Sequence, residues 1–308
     1  MEHKRIEYPD VKINLKELFS VIWKNYFFIG TFSLTASLIS LTVALYLPNI
    51  YTSKSLLAPA TSQDSLSSKL GNLSSFGKIA GFSLPSATAS KSQEAMERIK
   101  SFEFFSTHFL PNIKLENIMA SKKWDSSKNS LIYDERLYDN LNKKWVRNFS
   151  YPQKAVPSSQ EAFKFYKEIV SISEDSKTSF ITISIDHHSP VIAKKWIDII
   201  IFEINESMRK IDAENAQKSI DYLNGAAVIN KIQSIKEVIS RLLENQMQTL
   251  MLTSSSESYV FKVIDSAIIP EENSKPSRAV IFILGTFLGA VISLLIVLIK
   301  HYTVLNRP

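Results

Sequence analysis

Two long runs without a charged residue constrain this chain more than any other feature. One of them, Ala279–Ile299, holds 21 residues and is bracketed by Arg278 and Lys300. A helix of that length spans about 30 Å, the thickness of the hydrocarbon core of a bilayer. The alternative is a buried core helix, but such helices rarely lack charges over so long a stretch between two basic residues. The sequence therefore predicts a membrane-spanning helix over 278–299.

A second uncharged run, Tyr26–Leu47, lies near the start of the chain and holds 22 residues. Trp23 and Tyr46 lie near its two ends, where membrane–water interfaces favour aromatic side chains. A cleaved signal peptide is the alternative, because Leu57–Ala60 reads LAPA and imitates a cleavage site. However, the apolar part of a signal peptide is usually about 7–15 residues long. We therefore predict a retained membrane helix over 26–47.

Basic residues before the first predicted span indicate its orientation. A tail with many Lys and Arg residues stays in the cytoplasm. The sequence therefore predicts a two-pass protein of a bacterial inner membrane, with a cytoplasmic tail over 1–25, a periplasmic domain over 48–277 and a second cytoplasmic tail over 300–308. The absence of cysteine is compatible with a periplasmic domain. The basic residues of the first tail are Lys4, Arg5, Lys12, Lys16 and Lys24.

A net charge of +6 and a pI of about 9.2 raise the question of nucleic-acid binding. The basic residues form no run, and the predicted topology places most of them outside the cytoplasm. Lys and Arg spread along a chain in this way more often mark solvated helix faces. We therefore expect membrane lipids, and no nucleic acid, among the partners.

Three stretches imitate chemical motifs, and none meets the requirements of its motif. Gly71–Ile79 has five residues between its glycines where a phosphate loop has four, and Ile79 stands where Ser or Thr binds Mg²⁺. Adjacent histidines in DHH, residues 186–188, point to opposite faces of a strand, which favours a strand-to-helix turn over a metal site. The three acids of Tyr133–Asp139 are interpreted as charges on a solvated helix rather than as a glycosidase pair. We therefore expect no enzyme activity, cofactor, metal or catalytic residue.

The region between the two spans predicts both strands and helices. Strands are expected where apolar residues alternate with polar ones, at Tyr51–Ala60, 180–185 and Ser258–Pro270. Helices are expected where apolar residues follow a 3.6-residue period, at Lys91–Phe109, Pro157–Ile172 with Ser159 as its cap, and about 188–252. The Ser-rich stretch Thr61–Ser90 predicts a loop or a loosely helical cap, and 110–150 gives no prediction. The fold class is thus an α+β membrane protein, in which two transmembrane helices flank a periplasmic domain with a small mixed sheet near the membrane and long helices that form an extended arm.

Two sets of apolar residues in the predicted arm repeat at alternating spacings of four and three. Such spacing makes a seam for another helix, either within the domain or in a neighbouring subunit. The alternative is two core helices of a globular domain. Asn224-Gly225 between the sets predicts a stop or a bend. The two seams are Ile197, Ile201, Ile204, Met208 and Ile211, and Val228, Ile232, Ile235, Ile239 and Leu242.

The approach to the second span and the span itself carry two further signals. Pro270 and Pro276, ahead of Arg278, predict a stiff extended link, because proline restricts φ and lacks a backbone donor. Gly285 and Gly289 form a G-x-x-x-G, a spacing that lets two membrane helices approach closely. The partner helix is either the first span of the same chain or a span of a neighbouring copy. Glycine is also common in membrane helices without any such role.

The ordered set of these features resembles the Wzz-type chain-length determinants, also called polysaccharide co-polymerases. INLKELFSVIWKNYFFI (Ile13–Ile29) is similar to that family's entry into its first span. LGNLSSFGKIAGFSL (Leu70–Leu84) with ERIKSFEFF (Glu97–Phe105) resembles its glycine-bearing segment and the following helix. YVFKVIDSAIIPEENSKPSRAVI (Tyr259–Ile281) is similar to its exit into the second span. Departures are a sparse proline approach and a helical segment shorter than in the largest members.

The resemblance implies a protein that sets the length of a surface polysaccharide, such as lipopolysaccharide O-antigen, as a non-catalytic scaffold. It also implies a homo-oligomeric ring, a polymerase partner in the inner membrane and a lipid-linked glycan. The alternative is an adaptor for capsule or exopolysaccharide export that works with a separate partner or kinase, since nine residues after the second span leave no room for a fused kinase. A two-span sensor is the third possibility, and it would need a long output domain after the second span.

Overall fold

The structure, a computed structural model, describes residues 15–60, 89–229, 232–255 and 258–305. The chain divides into two compact units, which we call the terminal unit (Met1–Pro48 with Ser274–Pro308) and the central domain (Asn49–Asn273). The stretch Gly71–Ile79 and the Ser-rich region around it, 61–88, lie outside the described residues. The expectations placed on that region therefore stay predictions.

The described residues of the terminal unit form three helices. Helix α1 (Leu15–Lys24) and helix α2 (Tyr26–Tyr46) come from the start of the chain, and helix α8 (Arg278–Leu305) comes from its end. Helices α2 and α8 pack along each other. Segments Tyr26–Tyr46 and Arg278–His301 have mean hydropathies of 1.8 and 2.8, and most of their side chains are exposed. Long apolar helices with exposed side chains fit a two-pass membrane protein better than the core of a soluble one.

The central domain contains one sheet, two small hairpins and five helices among its described residues. Residues Phe102–Asn112 add three short helical turns, of which Phe105–Phe109 is a π-helix. In chain order the elements are β1 (Tyr51–Pro59), α3 (Ala89–Ile99), α4 (Leu115–Met119), β2 (Ser121–Asp125), β3 (Ser130–Tyr133), β4 (Tyr138–Asp139), β5 (Lys144–Trp145), α5 (Ser159–Ile169), β6 (Val170–Glu174), β7 (Ile181–His187), α6 (Pro190–Ile229), α7 (Gln233–Ser255) and β8 (Phe261–Asp265).

The main sheet has the strand order β6-β7-β1-β8, and every pairing in it is antiparallel. The expectation of a mixed sheet was wrong in this respect. Strands β7 and β8 do run in the same direction, but β1 lies between them and pairs antiparallel with both. The alternation read from the sequence is confirmed in β7, where Ile181, Ile183 and Ile185 are buried and the residues between them are not.

The core of the central domain lies between the sheet and the first half of α6. Trp196, Ile197 and Ile204 are buried there with the isoleucines of β7. The rings of Phe105 and Phe109 in the π-helix contact Tyr166 of α5, at centroid distances of 4.9 and 5.0 Å. One face of α6 therefore holds the sheet, the π-helix and α5 together.

Several helix boundaries differ from the prediction for local reasons. The predicted helix Lys91–Phe109 is interrupted, because Ser101 leaves the helix and its side chain accepts a hydrogen bond from Phe104 N. Ser158, not Ser159, caps α5, in a capping box with Glu161. Residues Tyr133–Asp139 are not helical: Tyr133 ends β3, residues 134–137 form a turn, and Tyr138–Asp139 form β4. The stretch 110–150, for which we made no prediction, folds mainly into α4 and the β2–β3 and β4–β5 hairpins.

The predicted stop or bend at Asn224-Gly225 was wrong. Helix α6 continues through it and ends at Ile229, a length of 40 residues. Glycine in a helix interior costs about 1 kcal/mol relative to alanine, which tertiary packing readily offsets. That packing is supplied here by α7, which lies along the second half of α6, where Ala216 and Ile220 are buried.

Candidate functional site

The two glycines of the second span face the first span of the same chain. A Cβ atom added at Gly285 would lie 2.2 Å from Ser40 Oγ, and one added at Gly289 would lie 2.4 Å from Ala36 Cβ. Ser40 Oγ also donates a hydrogen bond to the carbonyl oxygen of Ile281, at 2.7 Å. The sequence allowed two partner helices for these glycines, the first span of the same chain or a span of a neighbouring copy. In the structure the partner is the first span of the same chain. Small residues allow this close approach, as the G-x-x-x-G spacing indicates.

The proline approach divides between the two units. Pro270 belongs to the central domain, whereas Pro276 and Arg278 belong to the terminal unit, and α8 begins at Arg278. Residues 266–277 contain no helix and no strand. The stiffening role of the two prolines stays a prediction.

The two predicted seams have different surroundings. Four residues of the first, Ile197, Ile201, Ile204 and Met208, lie in the core of the central domain, so they are not available to a neighbouring copy. The alternative of a core helix is the correct interpretation for this half of α6. In the second seam only Ile239 is buried. Its other members, Val228, Ile232, Ile235 and Leu242, are exposed.

The end of the arm is apolar and open to its surroundings. Val228 and Ile229 at the end of α6 are 84% and 80% exposed, and Ile232 before α7 is 60% exposed. Farther along α7, Met247 and Met251 are also exposed. Exposed apolar side chains gathered on one element mark a surface that binds another protein or a membrane.

A single asparagine joins the base of the arm to the returning strand. The Nδ2 group of Asn205 donates to the carbonyl oxygens of Ile201 (3.0 Å) and Phe261 (3.2 Å). Its Oδ1 atom accepts from the backbone N–H groups of Tyr259 (3.1 Å), Val260 (2.7 Å) and Phe261 (3.0 Å). Sequence analysis missed this residue, although one polar residue on an otherwise apolar helix face is a visible signal.

A second polar tie lies about two helical turns farther along α6. Asp212 accepts a hydrogen bond from the hydroxyl of Tyr259 at 2.6 Å and pairs with the ammonium group of Lys91. Burial, followed by the hydrogen bond to Asp212, raises the pKa of Tyr259. Lys91 lies on α3 and Asp212 on α6, so this cluster holds α3, α6 and the start of β8 together.

The DHH segment forms the predicted turn between β7 and α6. His187 is buried: Ser189 N donates to its Nδ1 at 2.9 Å, and its Nε2 lies 3.0 Å from the carbonyl oxygen of Asn117. These contacts define a neutral ring, with the proton on Nε2 donated to Asn117. Burial, with a smaller effect of His188, lowers the pKa of His187 to about 4. His188 instead contacts the carbonyl oxygen of Asn49, at 3.2 Å.

The acids of Tyr133–Asp139 are engaged in local turns. Arg136 holds the pKa of Asp134 at about 2 through side-chain and backbone hydrogen bonds. Asp139 accepts hydrogen bonds from the backbone of Leu141 (2.9 Å) and the side chain of Asn142 (2.7 Å). Across the described ranges no group of three or more metal-ligating side chains comes together.

One group of three side chains is arranged like the nucleophile, base and acid of a hydrolase triad: Ser207, His108 and Glu203. Ser207 Oγ lies 3.3 Å from His108 Nε2, and Glu203 Oε2 lies 3.4 Å from His108 Nδ1. Both distances are longer than a nucleophile–base contact of about 2.6–3.2 Å. Ser207 is also buried. The histidine bridges two residues one turn apart on α6, which attaches the π-helix to that helix.

A groove of about 580 Å³ runs between α6 and the edge strand β8. Phe202 and Val263 contribute exposed apolar surface to it, and Asp198, Glu206 and Arg209 contribute charge. The volume is within the range of ligand-binding and docking clefts.

Two protein-family models match the chain, at opposite ends. Residues 11–106 match the one described as "Chain length determinant protein". Residues 229–302 match the one described as "G-rich domain on putative tyrosine kinase". Among curated proteins, none matches the chain significantly.

The solved structures that match the chain include two polysaccharide co-polymerases. One is described as a full-length bacterial polysaccharide co-polymerase; it is 12% identical, covers 96% of this chain and 99% of its own, and has a TM-score of 0.41. The other is a fragment of the co-polymerase WzzB from Salmonella Typhimurium, 11% identical over 74% of this chain and 100% of its own, with a TM-score of 0.31. Because both TM-scores are low, the family comparison depends on the matches to the two family models. Those matches include both candidate spans, and they support a Wzz-type polysaccharide co-polymerase.

Proposed function

We propose that this protein regulates the chain length of a surface polysaccharide, such as lipopolysaccharide O-antigen, as an oligomeric scaffold that acts with a polymerase. The observation that carries the proposal is the chain-length determinant match over 11–106, which includes helix α2 and strand β1. Strand β1 leads directly from the first span into the centre of the sheet. The matched region therefore contributes helix α2 and an interior strand of the sheet.

The proposed setting is a bacterial inner membrane, with both termini in the cytoplasm and the central domain in the periplasm. Five basic residues before α2 support this orientation. A cytoplasmic-type reporter fused after Pro308 is expected to be active, and a periplasmic-type reporter at the same position inactive. The reverse pattern would overturn the topology and with it the functional proposal.

The proposed scaffold is a closed ring of identical copies. Two anchors confine every copy to one membrane, so a repeated contact between unlike surfaces closes on itself when the rotation allows it. The exposed apolar end of the arm, Val228, Ile229 and Ile232, and the exposed part of the second seam supply surface for contacts between copies. Such a ring would hold a growing lipid-linked glycan or several polymerase copies, and the polymer length would follow from how long they remain together.

The scaffold is proposed to act without a catalytic side chain. His187 and Ser207 are buried in packing contacts, and Asp134 and Asp139 are engaged in turns. Alanine at Asp134, Glu135, Asp186, His188 or Ser207, one at a time, is expected to shift polymer length at most. Complete loss of length control by any one of them, in a folded and assembled protein, would require an active site.

Deletion of the gene tests the function directly. Gel electrophoresis of the surface polysaccharide is expected to show a preferred length in the wild type, a broad or shortened distribution in the deletion strain and recovery on complementation. An unchanged length distribution in the deletion strain would contradict the proposal.

A second candidate function is an adaptor for capsule or exopolysaccharide export that works with a separate kinase. The match of residues 229–302 to a domain described on tyrosine kinases favours it. For an adaptor, deletion is expected to remove the exported polymer rather than change its length. A tyrosine kinase would then co-purify with the full-length protein from membranes.

A further inference from the structure

The central sheet ends in two unlike strands. Its order is β6-β7-β1-β8, so β6 and β8 lie at opposite edges. Within the described ranges, each of the two pairs with a strand on one side only. An unpaired edge presents a row of backbone N–H and C=O groups, which makes it a template for pairing with another chain. Proteins normally shield such an edge with charge, proline or a covering element.

The β8 edge is exposed, and two apolar residues lie in it between Lys262 and Asp265. Val263 and Ile264 in the strand are 38% and 50% exposed, and Ile268 and Ile269 just after it are 69% and 49% exposed. Phe202 of α6 is 63% exposed, at the groove that borders this strand. An exposed apolar edge strand next to a groove has the character of an interface rather than of a solvated surface.

The β6 edge is polar in its strand and partly apolar in the helix above it. Ser171, Ser173 and Glu174 of β6 are exposed. In α5, which packs over β6 and β7, Phe165 and Lys164 are exposed. Helices α5 and α6 both contact the core on one face of the sheet, through Tyr166 and Trp196.

Strand directions allow the two edges to pair with each other. Strand β6 runs parallel to β1, because both pair antiparallel with β7. Strand β8 runs antiparallel to β1. A β6 strand placed beside β8 would therefore continue the antiparallel pattern of the sheet without a reversal. It would also bring α5 of one copy next to α6 of the other, so that Phe165 meets the groove beside Phe202.

Charges agree with the same arrangement. Following the pairing across the sheet, Glu174 is level with Ile181, Leu57 and Val263. In a sheet continued at the same level, Glu174 of one copy lies opposite Val263 of the next, and Asp175 lies opposite Lys262 on the other face of the sheet. Opposite charges in neighbouring cross-strand positions stabilise a pair, whereas like charges destabilise it. Because each copy carries both edges, a second copy of the same chain is the occupant that these observations favour.

We propose that neighbouring copies join by continuing the sheet, with the β8 edge of one copy paired to the β6 edge of the next. The inference deepens the proposed ring, on which it rests, by identifying its lateral contact. Each contact is between unlike surfaces, so the chain of copies can close into a ring rather than stop at a pair.

The absence of cysteine from the sequence makes cross-linking a clean test. Residues opposite each other in an antiparallel pair have Cα atoms about 4.5–5.5 Å apart, which a disulfide can bridge. In full-length protein in membranes, the double variant Val263→Cys/Glu174→Cys is expected to give a ladder of disulfide-linked multimers. Each single variant is expected to give none. A matched control, Val263→Cys with Asn140→Cys in the exposed β4–β5 turn, is expected to give no ladder.

Charge reversal supplies a second test that needs no cross-link. Lys262→Glu or Asp175→Lys alone is expected to reduce the oligomer fraction several-fold in mild detergent. The two reversals together in one chain are expected to restore it, because each contact then has the same pair with the signs exchanged. Failure of the double reversal to restore assembly, while each single variant is folded, would overturn the pairing.

The outcomes separate this inference from the proposed function. An assembled protein that controls polymer length but gives no ladder would overturn the edge pairing and leave the proposed function in place. A disulfide dimer from Val263→Cys alone would show a symmetric contact between β8 edges and also overturn it. An unchanged polymer distribution on gene deletion would overturn the proposed function itself.

Discussion

Asn205 and Phe261 are joined by two hydrogen bonds that run in opposite directions. The side-chain amide of Asn205 donates to the carbonyl oxygen of Phe261 at 3.2 Å and accepts from its N–H group at 3.0 Å. Both residues are buried. A side chain of α6 thereby pairs with the first residue of β8 much as a neighbouring strand would, which fixes the strand to the helix at the base of the arm.

Removal of that amide is expected to destabilise the central domain. Asn205→Ala leaves the N–H groups of Tyr259, Val260 and Phe261 without their acceptor, and a buried unsatisfied group costs about 1–3 kcal/mol. We expect a loss of a few kcal/mol in the unfolding free energy of the full-length protein in detergent. Asn215→Ala, at an exposed position of the same helix, is the control and is expected to change it by under about 0.5 kcal/mol. Equal effects of the two variants would contradict this role of Asn205.

Bulk at Gly289 is expected to separate the two membrane helices. Leucine there has no room, because a Cβ atom alone would lie 2.4 Å from that of Ala36. Gly289→Leu is expected to lower thermal stability in detergent and to broaden or shorten the polymer distribution. Gly30→Leu on α2 is the control: no atom lies within 4 Å of a Cβ atom added at Gly30, so it is expected to behave as wild type.

Alanine at Gly225 is expected to stabilise the arm. Gly225 lies in the interior of α6, and a Cβ atom added to it meets no atom within 4 Å. The gain should approach the helix-propensity difference of about 1 kcal/mol and appear as slower amide hydrogen exchange over residues 220–229. Gly225→Pro is the opposing variant and should speed exchange there. Faster exchange in Gly225→Ala would indicate that the helix bends at this position after all.

The buried ring of His187 is expected to make stability depend on pH. Its pKa is lowered from 6.5 to about 4 in the folded protein, so between these values the unfolded chain binds a proton that the native ring does not. Stability attributable to His187 is therefore complete above about pH 6.5 and falls by about 3 kcal/mol as the pH drops to about 4.

The difference between wild type and His187→Gln isolates this effect in urea unfolding from pH 7 to 4. The variant loses contacts and should be less stable at pH 7, but its stability should fall less steeply over the window. His188→Gln removes only the smaller contribution to the lowered pKa of His187, so as the control it should keep most of the wild-type slope. Arg147 holds the pKa of Glu161 at about 2. Protonation of Glu161 therefore lowers stability as well, but only below about pH 4.5. Parallel curves for wild type and His187→Gln would contradict the assignment.

Elements with a clear period were predictable from the sequence. The two spans, the alternation of β7 and the long helical segment follow from the spacing of apolar residues alone. The spacing of apolar residues could not predict which element each apolar helix face packs against. Ile197 and Ile239 belong to seams of identical spacing, yet Ile197 packs under a sheet and Ile239 against a second helix.

Local signals failed where longer contacts decide the outcome. Asn224-Gly225 reads as a helix stop, but pairing of α6 with α7 carries the helix through it. The antiparallel sheet could not be predicted, because it depends on β1 entering between two strands from the distant parts 181–187 and 261–265. The hydrogen bonds of Asn205 likewise join residues 54–56 positions apart, beyond the reach of any sequence window.

The arm begins and ends at the same sheet, since α6 follows β7 and α7 precedes β8. Ala216 and Ile220 are buried in the half of α6 that α7 accompanies, whereas the half that packs on the sheet ends near Met208. Equal numbers of residues could therefore be added to, or removed from, the far ends of α6 and α7. The contacts between α6 and the sheet would not change. Arm height is in this sense an adjustable dimension of the fold, and related chains can differ in it while they share one foundation.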